Sequence, residues 1–199
     1  MVRSDSRSTC YLALYAVGET IDLLEVSETT VPCESHAPAL ADMDGDGAAN
    51  IVLGDSIYDA ETLSLLWSGG EGVGWFNVGA IGEGTGREGY WNSGYHSFAY
   101  DLDGDGEQME LVTGSTVYNS DGSIYCRMSH MGEQTADGYP AVADVVGEDG
   151  LPEIVVSGNH WVYLFSGTPN CLRLLRYDVV CASATSIAPI AWLPTMIRP

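Results

Sequence analysis

One acidic segment occurs three times in this chain, and this repetition limits the possible folds more than any other feature. The copies are ADMDGDGAANIVL at residues 41–53, YDLDGDGEQMELVT at 100–113 and ADVVGEDGLPEIVV at 143–156. Each copy follows a short apolar run and leads into a second run that is rich in β-branched residues. Internal similarity of this kind indicates an array of similar supersecondary units.

Each copy predicts four short strands. In the second copy, two further runs at residues 116–119 and 123–128 follow the strand after the acidic segment. Asp121 and Gly122 lie between these runs, and Asp-Gly tolerates the positive φ of a tight hairpin turn. We therefore expect the third and fourth strands of each copy to pair. Four antiparallel strands per repeat suit a propeller blade, so the predicted fold is all-β, a partial β-propeller of about three four-stranded blades plus a half blade at the N-terminus.

The acidic segments have the chemistry of a calcium loop. In the first copy Asp42, Asp44 and Asp46 alternate with Gly45 and Gly47, whose backbone freedom lets the three carboxylates converge. A shell of five or more oxygen ligands is what a cation of calcium's size requires. Without a cation, carboxylates this close together repel each other.

The repeat predicts a set of oxygen ligands in each loop. They are Asp42, Asp44, Asp46, the main-chain carbonyl near Ala48, and Asn50 in the first; Asp101, Asp103, Asp105, Glu107 and Glu110 in the second; Asp144, Asp149 and Glu153 in the third. The second copy has one extra residue, so Met109 takes the ninth position and Glu110 must reach in, with Glu107 as the alternative. In the third copy Val146 replaces the second aspartate, which predicts weak binding or none.

Two other interpretations of the loops compete with a calcium site. An EF-hand loop also opens with alternating aspartates, but it needs a bidentate glutamate at position twelve and a helix after it. Here the twelfth positions are Leu53, Val112 and Val155, inside predicted strands. The loops could also be plain turns, because Asp and Gly are turn residues. Turn chemistry does not require three alternating carboxylates, so the metal interpretation is preferred for the first two copies and the turn for the third.

The pattern apolar-Ala-Asp-x-Asp-Gly-Asp-Gly, followed by Ile/Leu-Val, resembles the FG-GAP and VCBS repeats of integrin α subunits and of many secreted bacterial proteins. The resemblance covers about residues 35–176. It implies a propeller fold, one calcium ion per loop between strands one and two, and an extracellular location. It implies no single defined partner, so protein and carbohydrate ligands both stay open.

The repeat divides the chain into six segments. They are residues 1–34, the last hairpin of a preceding blade; 35–69, a blade with a calcium loop; 70–95, a Gly- and aromatic-rich insert; 96–130, a second blade with a calcium loop; 131–176, a blade with a degenerate loop; and 177–199, an unassigned tail or the start of a further blade. A closed ring usually has four to eight blades, so we expect a fragment of a larger secreted repeat protein.

Charge and motif content narrow the function further. The chain has 7 Lys+Arg against 28 Asp+Glu, a net charge of −21, which disfavours a nucleic-acid partner. We expect no membrane span in this segment, and no signal peptide is visible. No nucleophile elbow or zinc-protease motif occurs, so we expect a non-enzymatic module for adhesion, ligand binding or scaffolding. The alternatives are the propeller domain of a secreted polysaccharide-degrading enzyme and, ranked below it, a calcium buffer or sensor.

Overall fold

The computed structural model describes residues 2–3, 10–31, 38–72, 96–130, 133–134, 138–147, 150–158 and 161–178. All regular secondary structure in these ranges is β-strand, which confirms the predicted all-β class. The described residues include no helix with the length and apolarity needed to cross a membrane. Most of the predicted insert (73–95) and most of the predicted tail (179–199) lie outside the described residues.

The first strands form two small antiparallel pairs. Strand β1 (Val2–Arg3) pairs with β2 (Cys10–Tyr11), and β3 (Ala13–Val17) pairs with β4 (Ile21–Val26). The pair β3–β4, called the N-terminal hairpin below, matches the hairpin that the sequence predicts for this region.

Three four-stranded antiparallel sheets follow, one for each acidic copy. Sheet 1 contains β5 (Ala39–Ala41), β6 (Asn50–Leu53), β7 (Ser56–Asp59) and β8 (Leu65–Ser68); sheet 2 contains β9 (Phe98–Tyr100), β10 (Glu110–Val112), β11 (Thr116–Tyr118) and β12 (Ile124–Arg127). The short pair β13 (Ser129–His130) and β14 (Glu133–Gln134) precedes sheet 3, which contains β15 (Tyr139–Ala143), β16 (Glu153–Gly158), β17 (Trp161–Ser166) and β18 (Arg173–Asp178). In each sheet every strand pairs with its neighbours in sequence.

The last hairpin has the same form in all three sheets. Its register shifts by a bulge after Ile57, Val117 and Leu164, respectively. Its turn has one residue at positive φ: Leu63 (57°) in sheet 1, Gly122 (83°) in sheet 2 and Cys171 (40°) in sheet 3. The Asp-Gly turn predicted in the second copy is therefore present, whereas the other two copies place side chains at the equivalent position.

Alternate residues of each strand point to opposite faces, and each face packs against a different neighbour. In sheet 1, Leu53 and Tyr58 pack on Cys10, Leu12 and Val31 beside the N-terminal hairpin. The opposite face of sheet 1 packs against sheet 2. The residues of this second core are Met43, Val52, Ile57, Leu111 and Tyr118.

The opposite face of sheet 2 packs on sheet 3. This third core is the largest, and its buried members are Leu102, Val112, Val117, Cys126, Met128, Ile154, Val156, Tyr163, Phe165 and Cys171. A disulfide joins Cys126 at the end of sheet 2 to Cys171 in the last turn of sheet 3, with their Cα atoms 5.8 Å apart. The three sheets therefore form a face-to-face stack with a separate apolar core at each interface.

The chain that leaves β8 is held on sheet 2. The Tyr118 hydroxyl donates to the carbonyl of Glu71 at 2.5 Å and accepts from the Glu71 N–H at 2.9 Å. The Arg127 guanidinium donates two hydrogen bonds to the Glu71 carboxylate, at 2.7 and 2.9 Å. The Trp67 indole donates to the carbonyl of Ser120 at 2.8 Å. Polar contacts thus join sheets 1 and 2 in addition to the apolar core.

Candidate metal centres

The first two acidic segments form similar loops between the first and second strands of their sheets. These are called loop 1 (residues 42–49) and loop 2 (residues 101–109). In loop 1 the Gly47 N–H donates to Asp42 Oδ2 at 2.9 Å, and in loop 2 the Gly106 N–H donates to Asp101 Oδ2 at 3.0 Å. Gly45, Gly47, Gly104 and Gly106 all have φ between 71° and 86°. Glycine is the residue that adopts this backbone without steric cost, which explains why it alternates with aspartate here.

Loop 1 brings three carboxylates together. Asp42, Asp44 and Asp46 each offer one oxygen, and these atoms lie within 4.8 Å of one another. Asp46 Oδ1 also accepts the Ala48 N–H at 2.7 Å, which fixes the orientation of that carboxylate. Asp42 Oδ1 is buried and has no hydrogen-bond partner. A carboxylate oxygen that is shielded from water and unpaired is unfavourable, so this atom marks the place where a cation would be stabilising.

Loop 2 brings together a different set of three. Oxygens of Asp101, Asp103 and Glu110 lie within 4.8 Å of one another. Asp105 corresponds to Asp46 by sequence, and its Oδ1 accepts the Glu107 N–H at 2.7 Å as Asp46 Oδ1 accepts the Ala48 N–H; it also accepts the Gln108 N–H at 3.1 Å. Of the five predicted ligands of this loop, the cluster thus gathers three and does not include Asp105 or Glu107.

The surroundings shift the pKa values of two carboxyls of loop 2 in opposite directions. Burial raises the pKa of Glu110, and the negative charges of Asp103, Asp101 and Asp105 add to this rise, while the Leu102 N–H opposes it. The N–H groups of Glu107 and Gln108 lower the pKa of Asp105. Without a bound cation, the negative charge of Glu110 is therefore disfavoured in the fold.

A buried polar residue opens the second strand of each four-stranded sheet and holds the loop before it. Asn50 Oδ1 accepts the Met43 N–H at 2.9 Å, and Glu110 Oε2 accepts the Leu102 N–H at 2.8 Å. Glu153 Oε2 accepts the N–H groups of Val145 and Val146 at 2.8 and 3.0 Å. Their side chains are only 4–6% exposed. All three residues were predicted as metal ligands. The structure shows that each also anchors the loop backbone. The sequence signal for this role is the polar residue that precedes an apolar strand in every copy.

The third loop, between β15 and β16, differs from the first two. Asp144 Oδ2 accepts the Gly150 N–H at 3.2 Å, and Glu153 Oε2 holds the backbone as above. Within the described residues, no group of three metal-binding side chains forms in this loop. Asp149, also predicted as a ligand, lies outside the described residues.

Loops 1 and 2 face each other across a cleft. The cleft has a volume of about 490 Å³, and its lining includes Asp42, Asp44 and Gly45 from one side and Asp101, Glu107 and Met109 from the other. The Met109 N–H donates to the carbonyl of Met43 at 3.0 Å. A Cβ on Gly45 would overlap the main-chain carbonyl oxygen of Glu107. Reasoning within each copy could not find this contact, because it joins residues of two different repeats.

Replacement of Glu110 by Gln tests the second cluster. Glutamine keeps a carbonyl oxygen for the Leu102 N–H but removes the charge, so we expect calcium affinity at this loop to fall at least as far as the roughly 10- to 100-fold loss typical of outer-shell substitutions. In chelator the same variant should melt at a higher temperature than wild type, because the raised pKa of Glu110 means that its ionised form is disfavoured in the fold. Calorimetry and thermal melting measure the two effects.

Glu153→Gln is the matched control for this substitution. Glu153 has the same buried position and the same hydrogen bond to the loop backbone in sheet 3, without an acidic cluster among the described residues. Calcium stoichiometry should not change in this variant. Both variants keep the acceptor oxygen and lose the charge, so an equal loss of affinity in both would contradict a specific role of the Glu110 charge at the second cluster.

No protein-family model matches the chain, and no curated protein sequence is similar to it. Among solved structures, the chain is similar to the V. cholerae biofilm matrix protein Bap1, with a TM-score of 0.51 and 19% sequence identity over 86% of this chain. The match covers 28% of that protein's chain. The chain is therefore similar in its all-β fold to part of a much longer protein.

Proposed function

We propose that this chain is a calcium-binding, extracellular β-propeller repeat module that serves in adhesion, ligand binding or scaffolding. The observation that carries the proposal is Asp42 Oδ1, a buried oxygen without a hydrogen-bond partner beside the carboxylates of Asp44 and Asp46. Hydrogen bonds within the loop satisfy the neighbouring oxygens Asp42 Oδ2 and Asp46 Oδ1, so a plain turn accounts for those atoms but not for Asp42 Oδ1. A bound cation accounts for it.

The ligand chemistry favours calcium over other cations. Both clusters consist of carboxylates alone, and neither contains His or Cys, the ligands typical of zinc. Asp44, Asp46 and Asp103 are exposed, so water can complete a shell of six to eight oxygens. Magnesium requires near-ideal octahedral geometry and gives up its waters reluctantly, which suits these loops less well.

Three features support the propeller assignment. Each sheet has four antiparallel strands in sequential order, the sheets stack face to face, and each acidic loop joins the first strand to the second. Propeller blades are four-stranded antiparallel sheets, so this arrangement is the one expected of successive blades. The resemblance of the loops to FG-GAP and VCBS repeats leads to the same architecture.

The extracellular assignment is supported by the covalent chemistry and by the similar protein. Disulfides such as Cys126–Cys171 persist in oxidising environments and are rare in the cytosol. The similar solved structure is that of a biofilm matrix protein, and a biofilm matrix lies outside the cell. Calcium outside the cell is at millimolar concentration. This concentration fills even the weak sites of extracellular modules, whose Kd is about 10⁻⁴ to 10⁻³ M.

Calorimetric titration of calcium into wild type and Asp44→Ala tests the proposal. We expect two binding events in wild type and one in the variant, because Asp44 contributes a carboxylate to the first cluster alone. Asp121→Ala is the control: Asp121 is an exposed aspartate in the β11–β12 turn, where its Oδ1 accepts the Ser123 N–H at 2.9 Å. The Asp121→Ala variant should bind two calcium ions, as wild type does. Equal stoichiometry in wild type and Asp44→Ala would rule out the first site.

A further inference from the structure

The two acidic clusters belong to different sheets, yet the loops that carry them touch through their main chains. The Met109 N–H in loop 2 donates to the carbonyl of Met43 in loop 1 at 3.0 Å. Met43 stands between two members of the first cluster, Asp42 and Asp44. This hydrogen bond therefore ties the backbone of one cluster to the last residue of the other loop.

A second contact lies beside the first. The Glu107 carbonyl oxygen approaches Gly45 so closely that no side chain fits at this position of loop 1. By contrast, a Cβ at Gly47 or Gly106 would meet no atom within 4 Å. Glycine is thus required at position 45 for two reasons, the positive φ of 74° and the close approach of the Glu107 carbonyl from the next repeat. At position 47 it is required only by the positive φ.

We propose that these two contacts couple the cation sites, so that calcium bound at either loop raises the calcium affinity of the other. This inference rests on the calcium binding proposed above and adds its regulation. Met109 and Gly45 act as positioning residues here and touch the ion in neither site. Coupling between two binding sites is reciprocal by thermodynamic necessity, so the affinity of each loop changes by the same factor.

We expect the coupling to be positive because the first ion orders the backbone of both loops. A cation that binds Asp101, Asp103 and Glu110 restricts residues 101–110 to one arrangement. That arrangement presents the Met109 N–H to Met43 and sets the Glu107 carbonyl against Gly45. Loop 1 is then partly held in its binding conformation, and the second ion meets a smaller loss of conformational entropy.

Repulsion between the ions opposes this effect, but weakly. Each cluster contains three carboxylates, so a loop that has bound Ca²⁺ still carries a net negative charge. Asp44, Asp46 and Asp103 are exposed, and at 0.15 M salt interactions between exposed charges are screened over about 8 Å. The buried Glu110 is screened less. We therefore expect the ordering effect to determine the sign at physiological salt.

The coupling is measured with three forms of the protein. Asp101→Asn/Asp103→Asn leaves loop 1 as the calcium site, and Asp42→Asn/Asp44→Asn leaves loop 2. If the loops are independent, the product of the two single-site association constants equals the overall two-ion constant of wild type. We expect the wild-type constant to exceed that product by roughly tenfold, within the usual range of about 5- to 150-fold for coupled sites.

Two glycine variants test whether the inter-loop contact carries the coupling. Gly45→Ala and Gly47→Ala both place a side chain at positive φ in the same loop, so both share the conformational cost. Only the methyl group at position 45 pushes against the Glu107 carbonyl. With the same three-protein comparison made for each variant, the coupling factor should fall close to one in Gly45→Ala and stay near the wild-type value in Gly47→Ala.

The possible outcomes distinguish coupling between the loops from calcium binding itself. Two binding events whose constants multiply to the wild-type value, or to more than it, would overturn the coupling and leave calcium binding intact. Equal loss of coupling in both glycine variants would overturn the role of the contact. If Gly45→Ala does not fold, the comparison of the aspartate variants alone still decides whether the loops are coupled. Absence of any calcium binding by wild type would instead overturn the proposed function.

Discussion

Calcium should raise the melting temperature of this protein by roughly 10–20 °C at a hundredfold excess over Kd. An ion that binds the folded chain alone stabilises it by about 2.7 kcal/mol per site under that condition, and two sites give about 5 kcal/mol. For a chain of this length, 1 kcal/mol corresponds to roughly 2–4 °C. The effect is large because each folded loop brings three carboxylates within 4.8 Å of one another. Thermal melting followed by circular dichroism, in calcium and in chelator, measures it.

Substitutions in the three loops act as internal controls for this result. Asp42→Ala and Asp101→Ala should each remove part of the calcium-dependent rise, whereas Asp144→Ala should change it little. The comparison is between calcium and chelator for each variant, because Asp42 and Asp101 also accept hydrogen bonds from their own loops. Magnesium should give a much smaller rise. A melting temperature that responds to neither calcium nor chelator would mean that the loops are ordinary turns.

Loss of the Cys126–Cys171 disulfide should destabilise the protein by about 4 kcal/mol. The bond closes a loop with a sequence separation of 45, and the chain-entropy relation gives this value for a loop of that length. Alanine is the suitable replacement, because both cysteines are buried among apolar residues of the core between sheets 2 and 3. The double variant Cys126→Ala/Cys171→Ala should melt roughly 8–16 °C below wild type.

The single variants distinguish the bond from simple loss of packing. Either substitution alone breaks the bond, so each single variant should lose nearly as much stability as the double variant. Additive losses would mean that the two side chains contribute through packing alone. Variants are preferred to a reducing agent here because Cys10 is also disulfide-bonded, and a reductant acts on that residue as well.

Most of the strand order follows from the sequence because it depends on local patterns. The apolar runs around each acidic segment, the Asp-Gly turn at Gly122 and the paired runs in residues 11–26 all correspond to strands or hairpins of the structure. Stacking of the sheets is different, because it joins residues far apart in the chain. Which face of sheet 1 meets the N-terminal hairpin and which meets sheet 2 depends on packing that no single repeat encodes.

The candidate metal sites were predictable in place but not in detail. The alternating aspartates locate both clusters, and Glu110 joins the second as its extra residue suggested. Spacing alone cannot decide whether a given oxygen faces a cation or a backbone N–H, because the φ angles of the loop determine that. Asp105 illustrates the limit: it matches Asp46 in spacing and in its hydrogen bond to the N–H two residues on, yet the second cluster contains Glu110 instead. The pairing of Cys126 with Cys171 among five cysteines was likewise beyond sequence spacing.

The position of the disulfide also decides how the chain transmits tension. Force applied from the C-terminal side can peel β18 away but then meets the covalent bond at Cys171, and force from the N-terminal side stops at Cys126. The stretch between them, with a sequence separation of 45 and a length of about 150 Å when extended, is thereby shielded from the pull. Within the described residues, hydrogen bonds and packing hold sheet 1 to sheet 2. Under load, strands β15–β17 of sheet 3 lie inside the closed loop and cannot lengthen, whereas strands β9–β11 of sheet 2 precede Cys126 and resist through hydrogen bonds and packing alone.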